Sequence, residues 1–295
     1  MRKILAALVI AAAAITAAAQ DFVVSTGGDP KESTYSQMFD ELNGTCGSTM
    51  KMALSSGSIE NLERLAANKV SGGIVQTDVL WLRGRLEKLD NLKTLVTLHP
   101  EEVHVAVSSG GLKPEGMNPF ASKVQPRDVS DLNNRKVASW GGSMETARIL
   151  NELLDMKWQL FPFTNAGQAK TALEKGEVEV LVAVGGSPHP ALSSFGPAWR
   201  LVPFSANDIS RLKDVYVPAT LNYSKMNSMG IQTVATEALL VVQNYRSPVM
   251  TSRLSKVRSC LATNIDMLRE TVGMHPKWRA VDPTNKGKWN WYEAK

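Results

Sequence analysis

The chain has 295 residues, of which 43% are hydrophobic, 21% charged and 6% aromatic, and it carries a formal charge of +5. That composition excludes wholesale disorder, collagen-like repeats and coiled coils, and a chain of this length forms one or two domains of roughly 100–200 residues each, with a core that needs no metal or disulfide staple. Its 33 basic residues alternate with 28 acidic ones, so the clustered basic stripe of a nucleic-acid binder is missing.

Met1–Ala19 reads as a secretory signal. Arg2 and Lys3 precede an apolar run, Ile4–Ile15, and Ala17-Ala18-Ala19 supplies small residues for cleavage. The run is short and Ala-rich beside the ~20 residues of a membrane-spanning helix. No cysteine stands near the cleavage site to carry a lipid. Cleavage leaves a formal charge of about +3 on a soluble, periplasmic protein. No later segment is apolar for long enough to span a membrane.

Asp21–Thr26 is a short apolar strand that runs into Gly27-Gly28, and a helical pattern follows over Tyr35–Asn43. Ile59–Asn68 is a predicted helix with Ser56 or Ser58 as its cap. Gly72–Gln76 is a buried strand and Val79–Lys88 a helix. Thr94–His99 and Glu102–Val107 are predicted as two strands separated by Pro100. Ser108–Arg127 is rich in Gly, Pro, Ser and Asn and reads as a linker or long loop. Lys136–Ser139 is a strand, Gly141-Gly142 a turn and Met144–Leu154 a helix. Ala166–Lys175 is a helix closed by Gly176. The apolar strand Val178–Val184 ends in Gly185-Gly186-Ser187-Pro188. Val215–Pro218 and Ile231–Val242 have strand or buried-helix character. Val249–Val272 is a long amphipathic helix entered at Pro248, and a Trp-rich tail, Trp278–Lys295, follows. Strands that alternate with helices predict an α/β architecture of mainly parallel sheets.

In open α/β sheets, ligands bind beyond the carboxyl ends of the strands. Four polar turns therefore stand out. Ser25-Thr26-Gly27-Gly28 offers backbone N–H groups at a glycine turn, but matches neither GxGxxG nor the phosphate-cradling loop. Trp140-Gly141-Gly142-Ser143 lies at a helix N-terminus, which favours a carboxylate. Ser143 there contacts a ligand or caps its own helix, and Trp140 lines a pocket or fills the core. Ser55-Ser56-Gly57-Ser58 again places hydroxyls before a helix. Gln76-Thr77-Asp78 follows an apolar run; Gln76 and Thr77 are candidate donors, and Asp78 pairs an ammonium group or, more in keeping with its position, caps the next helix.

Enzyme motifs are weak. His99, His104, His189 and His275 are dispersed, and neither HExxH nor GxSxG occurs. His99 and His104 flank Pro100-Glu101-Glu102 at a spacing that matches no standard metal motif. Glu101 and Glu102 are adjacent, so in a strand they point to opposite faces. No cofactor is implied. Cys46 and Cys260 either bridge the two ends of the chain or stay separate thiols.

Several stretches together resemble the TAXI family, the solute-binding proteins associated with TRAP transporters. They are Ser25-Thr26-Gly27-Gly28 with Tyr35, Ser56–Asn61, Gly73–Val79, Glu102–Val105, Asp131-Leu132 with Lys136–Ala138, Gly185–Pro188 and Pro218–Thr220, in order along nearly the whole chain. The resemblance implies a two-lobed α/β periplasmic binding protein with a hinge and an interlobe ligand cleft. It divides the chain into lobe one at 20–112 and 233–295 and lobe two at 113–232. Ser25, Thr26, Gly27, Gly28, Tyr35, Gly57, Ser58, Gln76, Thr77 and Asp78 would face the cleft from lobe one. Trp140, Gly141, Gly142, Ser143, Gly186 and Pro188 would face it from lobe two. The implied ligand is glutamate or another small organic anion, delivered by a monomeric, non-enzymatic protein to a TRAP-type permease. The chain departs from the family in its shorter Trp140–Ser143 turn and in the extended Ser108–Arg127 stretch, which puts glutamate itself in question. A sensor that feeds a receptor kinase and a periplasmic enzyme are the rival readings.

Overall fold

A computed structural model describes residues 22–28, 30, 33–47, 50–114 and 122–293. The signal segment Met1–Ala19 and the middle of the Ser108–Arg127 stretch lie outside the described residues.

The first half holds β1 (Val23–Ser25), α1 (Thr34–Thr45), β2 (Lys51–Ala53), α2 (Ser58–Ala66), β3 (Gly72–Gln76) and α3 (Thr77–Gly84). A long strand, β4 (Leu92–Ser108), leads out of it. The second half follows with β5 (Lys136–Trp140), α4 (Gly141–Leu154), β6 (Gln159–Phe163), α5 (Ala166–Glu174), β7 (Val180–Gly185), β8 (Trp199–Leu201), α6 (Ala206–Leu212) and β9 (Val217–Tyr223). The return strand, β10 (Ser228–Gln243), leads to α7 (Pro248–Glu270) and the C-terminal tail.

The strands form one mixed, ten-stranded sheet in the order β2-β1-β3-β10-β4-β7-β5-β6, with β8 on β4 and β9 on β10. This corrects the expectation of mainly parallel sheets. The outer pairs β1–β2, β1–β3, β5–β6 and β5–β7 are parallel. The long strands β4 and β10 run antiparallel to each other, and β3 and β7 pair antiparallel to them.

A second correction concerns Pro100, which does not separate two strands. It lies inside the single strand β4. Proline has no N–H for a ladder and is tolerated at irregularities. Pro100 stands opposite Glu237, and the β4–β10 register slips between Glu237 and Leu239. Ile231–Val242, left open between strand and helix, is strand, as part of β10.

Core packing shows where the halves divide. Leu95, Val96 and Leu98 of β4 join Leu240 and Val242 of β10 in a cluster with α1 and α7. Val103, Val105 and Val107 join Val234 in a second cluster with α4. Both strands therefore pass from one core to the other near Pro100–Glu102 and Ala235–Glu237. The described ends of the Ser108–Arg127 stretch close on the second half instead: Leu112 and Val124 exchange backbone hydrogen bonds of 2.8 and 2.9 Å, and Arg200 holds the Pro126 carbonyl. Helix α3 lies between the halves. Val79 and Leu80 pack on the first, while Trp81 and Leu82 lean on the second.

Helix α7 buries Leu254, Val257, Leu261, Ile265 and Leu268, a three-and-four spacing that gives one apolar stripe. Pro248 occupies its first turn, where a missing N–H costs nothing. Cys46, which caps α1, and Cys260 of α7 form a disulfide with Cα atoms 5.8 Å apart. No helix among the described residues is long and apolar enough to cross a membrane.

Candidate functional site

The carboxyl ends of β3 and β5 bring the two halves face to face. Gln76 closes β3, and Gly141-Gly142 opens α4 directly after β5. A Cβ at Gly142 would stand 2.9 Å from Gln76 Oε1, so glycine is what lets these two elements approach.

The helix starts on either side are built alike. Ser58 opens α2, and its hydroxyl accepts the Gln76 N–H from the end of β3 at 3.1 Å. Ser143 lies in the first turn of α4, and its hydroxyl accepts the Val184 N–H from the end of β7 at 2.9 Å. Each serine thus ties its helix to a neighbouring strand. Neither α2 nor α4 has a side-chain cap: their preceding residues are Gly57, at φ +119°, and Trp140. The first N–H groups of a helix have no partner within it, so these two starts present donors and a partial positive charge.

Glu101 lies on the hinge stretch of β4 between these helix starts and is 7% exposed. Its Oε2 accepts hydrogen bonds from Gln76 Nε2 at 2.7 Å and from the Tyr35 hydroxyl at 2.8 Å. His99 Nε2 lies 3.6 Å from Oε1. Burial pushes the carboxyl up, but His99 and the donors Tyr35 and Gln76 outweigh it and hold Glu101 below the usual carboxylate range. Burial and the Glu101 charge push the Tyr35 hydroxyl well up, so it stays protonated and donates.

The remaining predicted residues fall into two groups. Gln76 meets Gly142, and it is joined to Ser58 directly and to Tyr35 through Glu101, whereas Gly57 donates its N–H to Ser55 at 3.1 Å and Ser143 holds Val184. The others are engaged elsewhere or exposed. The Ser25 hydroxyl accepts from Arg64 at 3.1 Å. Thr26 pairs with Ser36 at 2.9 Å, and the Gly27 N–H donates to the same Ser36 hydroxyl at 3.1 Å. Gly28 and Gly141 are exposed. Thr77 donates to the Glu237 carbonyl at 3.1 Å. Trp140 is half-buried, with its ring 6.1 Å from His189. Gly186 lies under Lys277, and Pro188 is exposed.

Asp78 does not cap the next helix: α3 starts at Thr77 with Gln76 before it, so Asp78 lies inside the first turn, where it accepts the Val79 N–H beside it at 2.9 Å. It also accepts from Thr146 at 2.6 Å, Tyr216 at 3.1 Å and Thr236 at 3.1 Å, and it is fully buried. Burial raises its pKa, against the pull of these hydroxyls. With its oxygens so occupied, Asp78 knits the halves together and has no place for a ligand's ammonium group.

Sequence reading missed Glu101, Glu102, Asn61 and Lys277. Asn61 is buried and ties the β1 and β3 ends by donating to the carbonyls of Thr26 and Ile74. Glu101 and Glu102 have separate partners, since Glu102 binds Lys277 instead. His104 and His189 stack edge-on with ring centroids 5.5 Å apart, and no cluster of metal ligands occurs among the described residues.

No protein-family model matches the chain. Its fold is similar to the ligand-binding core of GluR0 from Nostoc punctiforme, solved with L-glutamate: 14% identity, 82% of this chain and 93% of that one, TM-score 0.50. It is also similar to ArtJ, the arginine-, lysine- and histidine-binding protein of Geobacillus stearothermophilus: 12% identity, 88% of this chain and 97% of that one, TM-score 0.50. At these identities the likeness is one of architecture. The chain has the two-lobed α/β fold of the periplasmic binding proteins.

Proposed function

We propose that this is an exported solute-binding protein that closes on a small, carboxylate-bearing solute and hands it, chemically intact, to a membrane permease. The TRAP type is the permease implied by the resemblance to TAXI proteins. The observation that carries the reading is the approach of Gln76 to Gly142, which brings the uncapped starts of α2 and α4 to the seam where the lobes meet, the place of the proposed crevice.

A carboxylate suits that crevice for a physical reason. Its oxygens accept first-turn N–H groups of α2, from Ser58 onward, and of α4 at Gly141–Ser143, and its charge lies at the positive ends of two helix dipoles. Closure excludes water, which strengthens each of these bonds. Glu101, its oxygens already held by Tyr35, Gln76 and His99, adds no direct contact but a negative field that favours a cationic group on the same solute. Both solved neighbours are described with amino acids, glutamate in one and arginine, lysine and histidine in the other, and an amino acid carries both charges. Binding without turnover is supported by the use of the Ser58 and Ser143 hydroxyls, which hold backbone N–H groups rather than pairing with a base. The signal-like Met1–Ala19 supports periplasmic action. In this reading the lobes divide where β4 and β10 cross.

Calorimetry on protein stripped of bound solute tests this, with glutamate, other amino acids, dicarboxylates and matched alcohols as probes. The expected result is saturable binding, one per chain, by a carboxylate-bearing probe that is recovered unchanged. Binding only by the alcohols, or conversion of the bound probe, contradicts it.

A further inference from the structure

We propose that Lys277 and Glu102 form a latch between the lobes, so that the C-terminal segment sets the balance of open and closed forms. The inference rests on the fold alone and holds for any ligand.

Lys277 belongs to lobe one by its backbone. It lies in the turn Pro276–Ala280, whose Trp278 is fully buried in the core with α1 and α7. Trp278 Nε1 donates to Glu41 of α1 at 2.6 Å, and the His275 N–H donates to the same carboxylate at 3.0 and 3.1 Å. His275 Nε2 lies 3.3 Å from the Thr34 hydroxyl. The turn is therefore fixed to α1.

Glu102 belongs to lobe two. It pairs with Gly185 of β7 and with Ala235 of β10, at the lobe-two edge of the crossing, directly before Val103 enters the second core. Lys277 Nζ lies 2.9 Å from both Glu102 oxygens and donates to the Pro100 carbonyl at 3.2 Å. The Ser187 N–H of lobe two donates to Glu102 Oε2 at 2.8 Å. The lysine stem also lies against the turn after β7: a Cβ on Gly186 would stand only 2.4 Å from Lys277 Cε.

Opening the lobes draws Glu102, Gly186 and Ser187 away from Lys277. Both side chains of the pair are only 12% exposed. Water screens such a pair less than one on the surface, and separating it leaves two partly buried charges unmatched until solvent reaches them. The pair therefore favours the closed form.

Spin labels at Glu63→Cys and Lys175→Cys, on exposed positions of the two lobes, report the interlobe distance in ligand-stripped protein with its native disulfide kept. The expected result is a closed population in the parent protein. Lys277→Met and Glu102→Gln should each lower the closed-to-open ratio about tenfold, as expected for breaking a partly buried pair. The double variant should open no further than either single one, and Lys277→Arg should stay closed. Gly186→Val displaces the lysine stem with both charges present and should open the protein as well. A parent protein already open without ligand, or effects of the two charge variants that add, overturns the latch. So do unchanged distances in Lys277→Met, or in Gly186→Val where Lys277→Met does not fold.

Discussion

Asp78 Oδ2 accepts a 2.6 Å hydrogen bond from Thr146 Oγ1, so a carboxylate beside the lobe-one strand end is held by a hydroxyl of the lobe-two helix α4. Tyr216 and Thr236 complete the shell, and no cation takes part in it. Removing the acceptor leaves three buried hydroxyls unmatched. Asp78→Ala is expected to lower stability by about 3 kcal/mol or more, and Thr146→Val by about 1–2 kcal/mol. Urea unfolding measures both. A loss below about 1 kcal/mol for Asp78→Ala would show that the shell relaxes around the gap.

Ser58 and Ser143 occupy matching places in the two lobes, each with its hydroxyl on the N–H at the end of a neighbouring strand. Replacing either with alanine orphans that N–H and should cost about 1 kcal/mol of stability. The helix starts themselves survive, so binding through their backbone N–H groups should persist. A variant that keeps its stability and loses binding would move the hydroxyl from scaffold to ligand contact.

Acid should weaken the fold through its buried histidines. Burial, and then the neighbouring His189, push His104 down to about 3. Burial lowers His189 too. The unfolded chain titrates its histidines near 6.5, so between about 6.5 and 3 it binds protons that the folded chain refuses. The stability is present in full above about pH 6.5 and falls as the pH drops below that. Melting temperatures between about pH 7.5 and 5.5 should therefore decline, and His104→Gln should flatten the decline. An equal slope in parent and variant would mean that His104 takes up a proton in the folded state.

Much of this design is legible in local sequence. The glycine turns after β1, β5 and β7 and the stripe of α7 depend on residues close to one another in the chain. The continuity of β4 is not, because a proline inside an apolar run ordinarily marks a strand boundary, and only the slipped pairing with Glu237 accommodates Pro100. Edge strand β6 was missed because Gln159–Phe163 is largely exposed and carries a proline, which removes the alternation that marks a strand. The site residues that sequence reading overlooked have distant partners: Tyr35 and Glu101 are 66 positions apart, and Lys277 and Glu102 are 175 apart. No spacing rule reaches that far. The same distance explains Asp78, which local sequence suggests as a helix cap, while its partners Thr146 and Tyr216 lie 68 and 138 positions away.

The central claim is that Gln76 and Gly142 close one crevice around a guest molecule. Native mass spectrometry of the exported protein, purified beside its Gly142→Leu variant, tests it most directly. A leucine there must occupy the space in which the Gln76 amide approaches α4. The account predicts one small carboxylate-bearing molecule on the parent protein, released intact on unfolding, and none on the variant, with both chains folded. The same molecule retained by Gly142→Leu would place the binding site somewhere other than between the lobes.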